Sequence, residues 1–293
     1  RQSLEIYFIE NPLEAEKIAE QVLVNKRSRE NAEKTRLNIK KKLSGNLDMT
    51  NRVEKFVDCR SKDISVRELF IVEGDSAKGA CVQARNPDFQ AIMPIRGKIL
   101  NCLKVDYDRI FKSDIITDLL KVLGCGVEVK SKANKHLATF DMDALRWNKI
   151  IICTDADVDG FHIRTMLLTM IYRLVPTLIH EGKVFIAESP LYEITTKNEV
   201  YFAYDEIEKD KFIEQIGEEK FTIQRSKGLG ENEPDMMNLT TMNPETRRLI
   251  KVMPDDAAQT AEIFDILIGN NLQARKDYIV EHGNEYIDNL DVS

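Results

Sequence analysis

Ile150-Ile151-Ile152-Cys153-Thr154-Asp155-Ala156-Asp157-Val158-Asp159-Gly160 is the stretch that decides how this chain is read. Its apolar start predicts a buried strand. The run then stops at carboxylates on alternate positions, followed by a glycine. Two unit charges 4 Å apart repel by about 4 kcal/mol at an effective dielectric near 20. Acids placed this closely need a cation, a proton or open water. Asp155, Asp157 and Asp159 therefore read as a site for a hard divalent metal, which prefers oxygen ligands. The plainer alternative is that Asp155 caps a helix starting near residue 161 and the other two acids are solvated.

Working outward, Leu69-Phe70-Ile71-Val72 predicts another short buried strand, ending at Glu73-Gly74-Asp75-Ser76 and followed by a helix over 76–85. Ala91–Ile95 is a strand closed by Arg96-Gly97-Lys98, and Lys183–Ala187 is a fourth. Helical spacing falls between them, at 110–123 and from about 162 to 180. Strands alternating with helices predict a parallel α/β sheet. In such sheets ligands gather at the carboxyl ends of strands, where Glu73 and the three aspartates both fall. If their two strands are neighbours, the acids converge.

Residues 12–43 predict one long helix, opened by Pro12 and free of Gly or Pro until Gly45, with a loop-like stretch up to Lys62. Beyond about 190 the texture becomes more charged. Asp205 to Lys220 reads as a solvated surface, and 244–293 as mostly helical. No internal repeat or low-complexity tract is present.

At 293 residues and 43% hydrophobic, the chain has the composition of a water-soluble protein with one large core or two smaller ones. No apolar run approaches the roughly 20 residues a membrane span needs. The five scattered cysteines form no Cys-x-x-Cys pair, which points to a reducing cytosol and away from zinc or a disulfide framework. Arg1 in place of methionine reads as a fragment or a processed chain. The net charge of −7 is unevenly spread: Val252–Ser293 holds nine acids against two bases, while Lys26–Lys42 holds eight bases against two acids. Nucleic acid is thus not excluded as a partner, but binding would be patchy.

Other motifs are weaker. Gly74 and Gly79 have P-loop spacing, but Ala80 and Cys81 stand where Lys and Ser or Thr are required, so no ATP site is expected here. Ile95–Asn101 offers two cations and an amide around Gly97, chemistry suited to phosphate oxygens. Arg225–Glu231 is a second basic, glycine-rich turn, and the four histidines lack ligand spacing. Each of these has an ordinary surface or packing explanation.

Taken together, four strings resemble the type IIA DNA topoisomerases of bacteria: EGDSA at 73–77, PIRGKILN at 94–101, TDADVDGFHIRT at 154–165 and KGLGE at 227–231. The match is to the C-terminal half of the B subunit of gyrase or topoisomerase IV, and it runs nearly the whole length. The first and third strings alone would be shared with primases and some nucleases; the other two narrow the match. The resemblance implies a Toprim fold, a Rossmann-like parallel sheet flanked by helices. It implies the end of the transducer and a connecting helix at 1–60, Toprim at 61–190 and a mainly helical tail domain at 191–293.

Carried over by position, the resemblance makes Glu73, Asp155 and Asp157 ligands of one or two Mg²⁺ ions, with Asp159 a further acid of the catalytic centre. Lys98 and Asn101 match DNA-contacting positions, and Arg96 beside Lys98 and Lys227 in the second basic turn are further DNA-binding candidates. Asp75 and Lys98 match positions where inhibitors of the family bind. The implied activity is DNA cleavage and religation, with the nucleophilic tyrosine on the gyrase A or topoisomerase IV A subunit of an A2B2 assembly. The implied setting is the bacterial cytoplasm, on the nucleoid. ATP would be used by the full-length protein and not bound by this part. The alternative is a self-sufficient Toprim nuclease or primase. Two positions depart from the family: Lys78, where glycine is usual, and Asn232, where methionine is usual.

Overall fold

Glu68–Glu73 (β1) has Gln90–Ile95 (β2) on one side and Lys149–Cys153 (β3) on the other, both parallel to it. Val184–Ala187 (β4) continues the sheet beyond β3, again parallel. Four strands thus form where the apolar runs predict them. The computed structural model describes residues 53–129, 139–225, 228–254 and 257–289, together with 7–8, 11–18 and 22. Two compact units are present, 1–49 and 50–293. In the first, 7–8, 12–18 and 22 are helical. The rest of the expected helix over 12–43, including the basic run Lys26–Lys42, lies outside the described residues.

Period two along the strands sends alternate side chains to opposite faces. Leu69, Ile71, Ile150 and Ile152 enter one core with the helices Asp114–Leu123 (α2) and Val158–Leu174 (α3). Phe70, Val72, Ile151 and Cys153 enter a second core with Gly74–Ala84 (α1), Leu229, Met237 and Met242. Burial on both faces explains the unbroken apolar runs Leu69–Val72 and Ile150–Cys153.

The helix expected at 110–123 is two, Tyr107–Ile110, capped by Asp106 through the Arg109 amide, and α2, which begins anew after Ser113 takes extended backbone. The helix expected from about 162 starts earlier, at Val158, and ends at Leu174. Val175 precedes Pro176, and proline disfavours helical backbone in the residue before it. Val175 accordingly lies outside the helical region, and a short turn Thr177–His180 follows.

Two further features have no counterpart in the sequence reading. Tyr192–Thr196 (β5), Val200–Ala203 (β6) and Phe221–Arg225 (β7) make an antiparallel sheet in the order β6-β5-β7. The helix Glu206–Ile216 (α4) lies between β6 and β7 in sequence and buries none of its residues, in keeping with the solvated surface expected there. Leu249–Lys251 (β8), in a region expected to be helical, joins β4 antiparallel as the fifth strand of the main sheet. Arg247, just before β8, reaches Glu68 at the start of β1 with two hydrogen bonds of 2.5 and 2.6 Å, and both side chains are 3% exposed. That buried pair ties the returning segment to β1. Ala257–Ile268 (α5) and Leu272–His282 (α6) follow. Among the described residues no helix is long and apolar enough to cross a membrane.

Candidate metal centre

The sheet order β2-β1-β3-β4 places a topological switch between β1 and β3. The chain leaves β1 for β2 on one side and returns to β3 on the other, so the connections diverge and leave a crevice at the carboxyl ends. Val72 pairs with Cys153 across it. Glu73, the last residue of β1, therefore stands beside Thr154 and Asp155.

Each acid has a different local task. Asp157 is the N-cap of α3 and accepts the Gly160 amide at 2.7 Å. Capping thus falls to Asp157 and not, as the plainer sequence alternative had it, to Asp155. Asp155 accepts the amide of Leu229 at 2.8 Å, a contact spanning 74 residues of sequence. Asp159 lies in the first turn of α3, where a negative charge is favoured by the helix dipole. Gly160 is required by close approach, since a Cβ there would fall 2.1 Å from the Asp155 carbonyl oxygen.

Burial pushes the Glu73 carboxyl above its ordinary pKa, and repulsion from Asp155, Asp157 and Asp159 adds to this; the Asp155 amide opposes it. Asp155 is pushed up likewise by burial first, against the Leu229 hydrogen bond, with Asp157 and Glu231 reinforcing the shift. Glu73 Oε2 and Thr154 Oγ1 are buried and have no hydrogen-bond partner. Among the described residues no three His, Cys, Asp or Glu side chains already enclose a metal position. Asp155 and Asp157 each accept a backbone amide instead, from Leu229 and Gly160. The donor set is nevertheless all oxygen, with one buried carboxylate oxygen left unsatisfied, and that fits a hard cation.

The KGLGE string joins this centre through packing. Leu229 is buried in the second core against α1 and offers its amide to Asp155. A Cβ on Gly230 would lie 2.6 Å from Ser76 Cβ and 3.1 Å from the Ser76 carbonyl carbon, so a glycine is needed for the loop to sit on the EGDSA turn. Lys227 lies outside the described residues.

The basic turn after β2 is also brought in. Arg96 forks onto Asp75 with contacts of 2.9–3.1 Å, and Lys55 Nζ reaches the same carboxylate at 2.6 Å. Lys98 is exposed. Asn101 is half-buried and engaged within the chain: its Nδ2 donates to the Ile268 carbonyl at 3.0 Å and its Oδ1 accepts the Leu103 amide at 3.0 Å. Neither Lys55 nor Thr154 was singled out by sequence. The lysine belongs to no motif, and the threonine's role depends on which strand lies beside it. All five cysteines are free and buried.

Comparison with known proteins matches two segments of the chain to families. Residues 68–189 match the Toprim domain, and residues 218–280 match the family described as DNA gyrase B subunit, carboxyl terminus. The chain resembles the C-terminal half of gyrase B subunits. It is 43% identical over 288 residues to the DNA gyrase B protein of Clostridium acetobutylicum, covering 98% of this chain and 43% of that protein. It is 41% identical over 282 residues to the DNA gyrase B protein of Thermotoga maritima, covering 96% of this chain and 43% of the relative. For the DNA gyrase B protein of Archaeoglobus fulgidus the identity is 42% over 283 residues, 97% of this chain and 42% of the relative. The chain thus spans about two-fifths of the length of these curated relatives.

Proposed function

We propose that this chain supplies the Mg²⁺-dependent half of a type IIA topoisomerase cleavage–religation site, at which one DNA duplex is passed through a double-strand break in another. The observation that carries the proposal is the meeting of Glu73 with Asp155 at the β1–β3 crevice, where Glu73 Oε2 is buried without a donor. Glu73, Asp155 and Asp157 would hold one or two Mg²⁺ ions, and Asp159 would add negative charge beside them. Bound there, Mg²⁺ supplies neutralisation of charge on the phosphate and on the departing 3′ oxygen. Burial raises the proton affinity of Glu73, which suits it to exchanging a proton with the 3′ hydroxyl during religation.

Lys98, Arg96 and Lys227 would contact the DNA backbone. Asn101 would have to exchange its present partners to join them. Asp75 and Lys98 would border the inhibitor-binding region. The breaking tyrosine belongs to a gyrase A or topoisomerase IV A partner in an A2B2 assembly, and ATP is used by a part of the full-length protein outside this chain. On this reading the domains are 1–60, 61–190 and 191–293, and the working location is the bacterial cytoplasm, on the nucleoid.

The test is DNA cleavage by the full-length protein with its partner subunit, comparing the parent with Glu73→Ala and Asp155→Ala over a Mg²⁺ titration. Calorimetric Mg²⁺ binding on the same proteins gives a readout independent of activity. Both variants should lose cleavage and weaken binding. Unimpaired Mg²⁺-dependent cleavage by both would sink the assignment, and DNA breakage by the isolated chain would favour the self-sufficient nuclease.

A further inference from the structure

Asp75 is shared by two cations, Arg96 and Lys55, and all three side chains are well exposed, at 50%, 41% and 37%. Exposed ion pairs contribute little to stability, so folding alone is a poor reason to bring two cations to one carboxylate. One positive charge remains uncompensated, and exposed Lys98, two residues beyond Arg96, adds another. Lys55 also has a backbone φ of +65°, the one non-glycine residue with positive φ among those described. Residues held in such strained conformations gather where a side chain must be aimed at a ligand. Its turn is not loose: Val57 and Ile92 exchange both backbone hydrogen bonds at 2.9 Å, which fastens the segment to edge strand β2, and Val53 is buried.

We infer that Lys55 is a further phosphate contact for duplex DNA. Asp75 holds it beside Arg96, and with Lys98 the three cations form one basic rim next to the acidic crevice. The inference rests on the proposed DNA-cleaving function and adds to it a residue that no motif contains. Phosphate oxygens would replace the Asp75 carboxylate as acceptors for both cations, so no covalent step is involved.

The experiment is equilibrium binding of a short DNA duplex to this chain at several salt concentrations. The proteins compared are the parent, Lys55→Ala, Lys55→Arg, Lys98→Ala and Lys197→Ala. Lys197 is exposed on the turn between β5 and β6 and controls for the change in net charge. A lost phosphate contact lowers the slope of log K against log salt by about 0.9, so between ~50 and ~200 mM salt the parent should lose about 3.5-fold more affinity than Lys55→Ala. Lys55→Arg should restore the parent slope, and thermal melting should show all variants folded. A parent slope in Lys55→Ala alongside a reduced slope in Lys98→Ala overturns the inference and leaves DNA binding standing. An equal reduction in Lys197→Ala also overturns it. If the parent does not bind duplex DNA even at low salt, both this inference and the DNA reading fall.

Discussion

Replacing Gly230 by alanine tests whether the KGLGE loop is seated on the EGDSA turn by close packing. The added Cβ would meet Ser76 Cβ at 2.6 Å and Ser76 backbone at 3.1 Å, where ordinary contact begins at 3.4 Å. Backbone atoms cannot swing aside as a flexible side-chain tip can, so loop and helix must separate by most of an ångström. Overpacking of this kind costs about 1–3 kcal/mol. Moving the loop also loosens the Leu229 amide from Asp155, and a hydrogen bond to a charged group contributes about 1.5–3 kcal/mol. The two losses overlap, since one displacement causes both, and about 2 kcal/mol is a fair total. For a domain of this size that lowers Tm by roughly 4–8 °C.

The assay is scanning calorimetry with and without Mg²⁺. Gly79→Ala serves as the contrast, because a Cβ there meets nothing within 4 Å and the residue lies inside α1. Alanine is favoured over glycine inside a helix by roughly 0.5–1 kcal/mol, so this variant should melt slightly higher than the parent. If Gly230→Ala melts with the parent while Gly79→Ala behaves as expected, the packing argument is wrong.

Glu73→Gln should raise stability at neutral pH in the absence of Mg²⁺ and abolish the stabilisation that Mg²⁺ gives the parent. The folded pKa of Glu73 is raised, so the charged form costs the parent stability above that pKa, and the parent should recover it as pH falls toward the unfolded value of 4.5; melting curves across that window decide it. Arg247→Ala should destabilise the fold by about 3–5 kcal/mol, because it leaves Glu68 buried without its main partner. Despite burial, hydrogen bonds from Arg247 and Gln90 hold the Glu68 pKa below its ordinary value. Its contribution is therefore fully present above 4.5 and is lost as pH falls through the depressed folded pKa, a loss that should be smaller in the variant. An Arg247→Ala denaturant midpoint equal to the parent's would show the pair to be dispensable.

Much of this protein is legible from its residues because burial on both faces writes an unbroken apolar strand and carboxylates write their own boundary. Ile150–Cys153 and Leu69–Val72 needed no neighbours to be recognised, and neither did the acids that end them. The antiparallel sheet was less legible. Tyr192–Thr196 alternates buried and half-buried positions, but its partner β7 is largely exposed, and its apolar alternation is limited to Phe221 and Ile223. Strand β8 has three residues, too few for periodicity to show, and it exists because β4 offers it an edge.

By itself the sequence determined which groups are on offer: carboxylates at the ends of apolar strands and cations in glycine-containing turns. Tertiary structure decided how those parts are used. Register across β1 and β3 brings Glu73 to Asp155, the α3 cap commits Asp157, and a loop 74 residues away supplies the amide that holds Asp155. The division follows from the range of the forces. Hydrophobic patterning and charge are local properties of a chain, whereas the partner of a carboxylate depends on which distant backbone the fold brings within 3 Å.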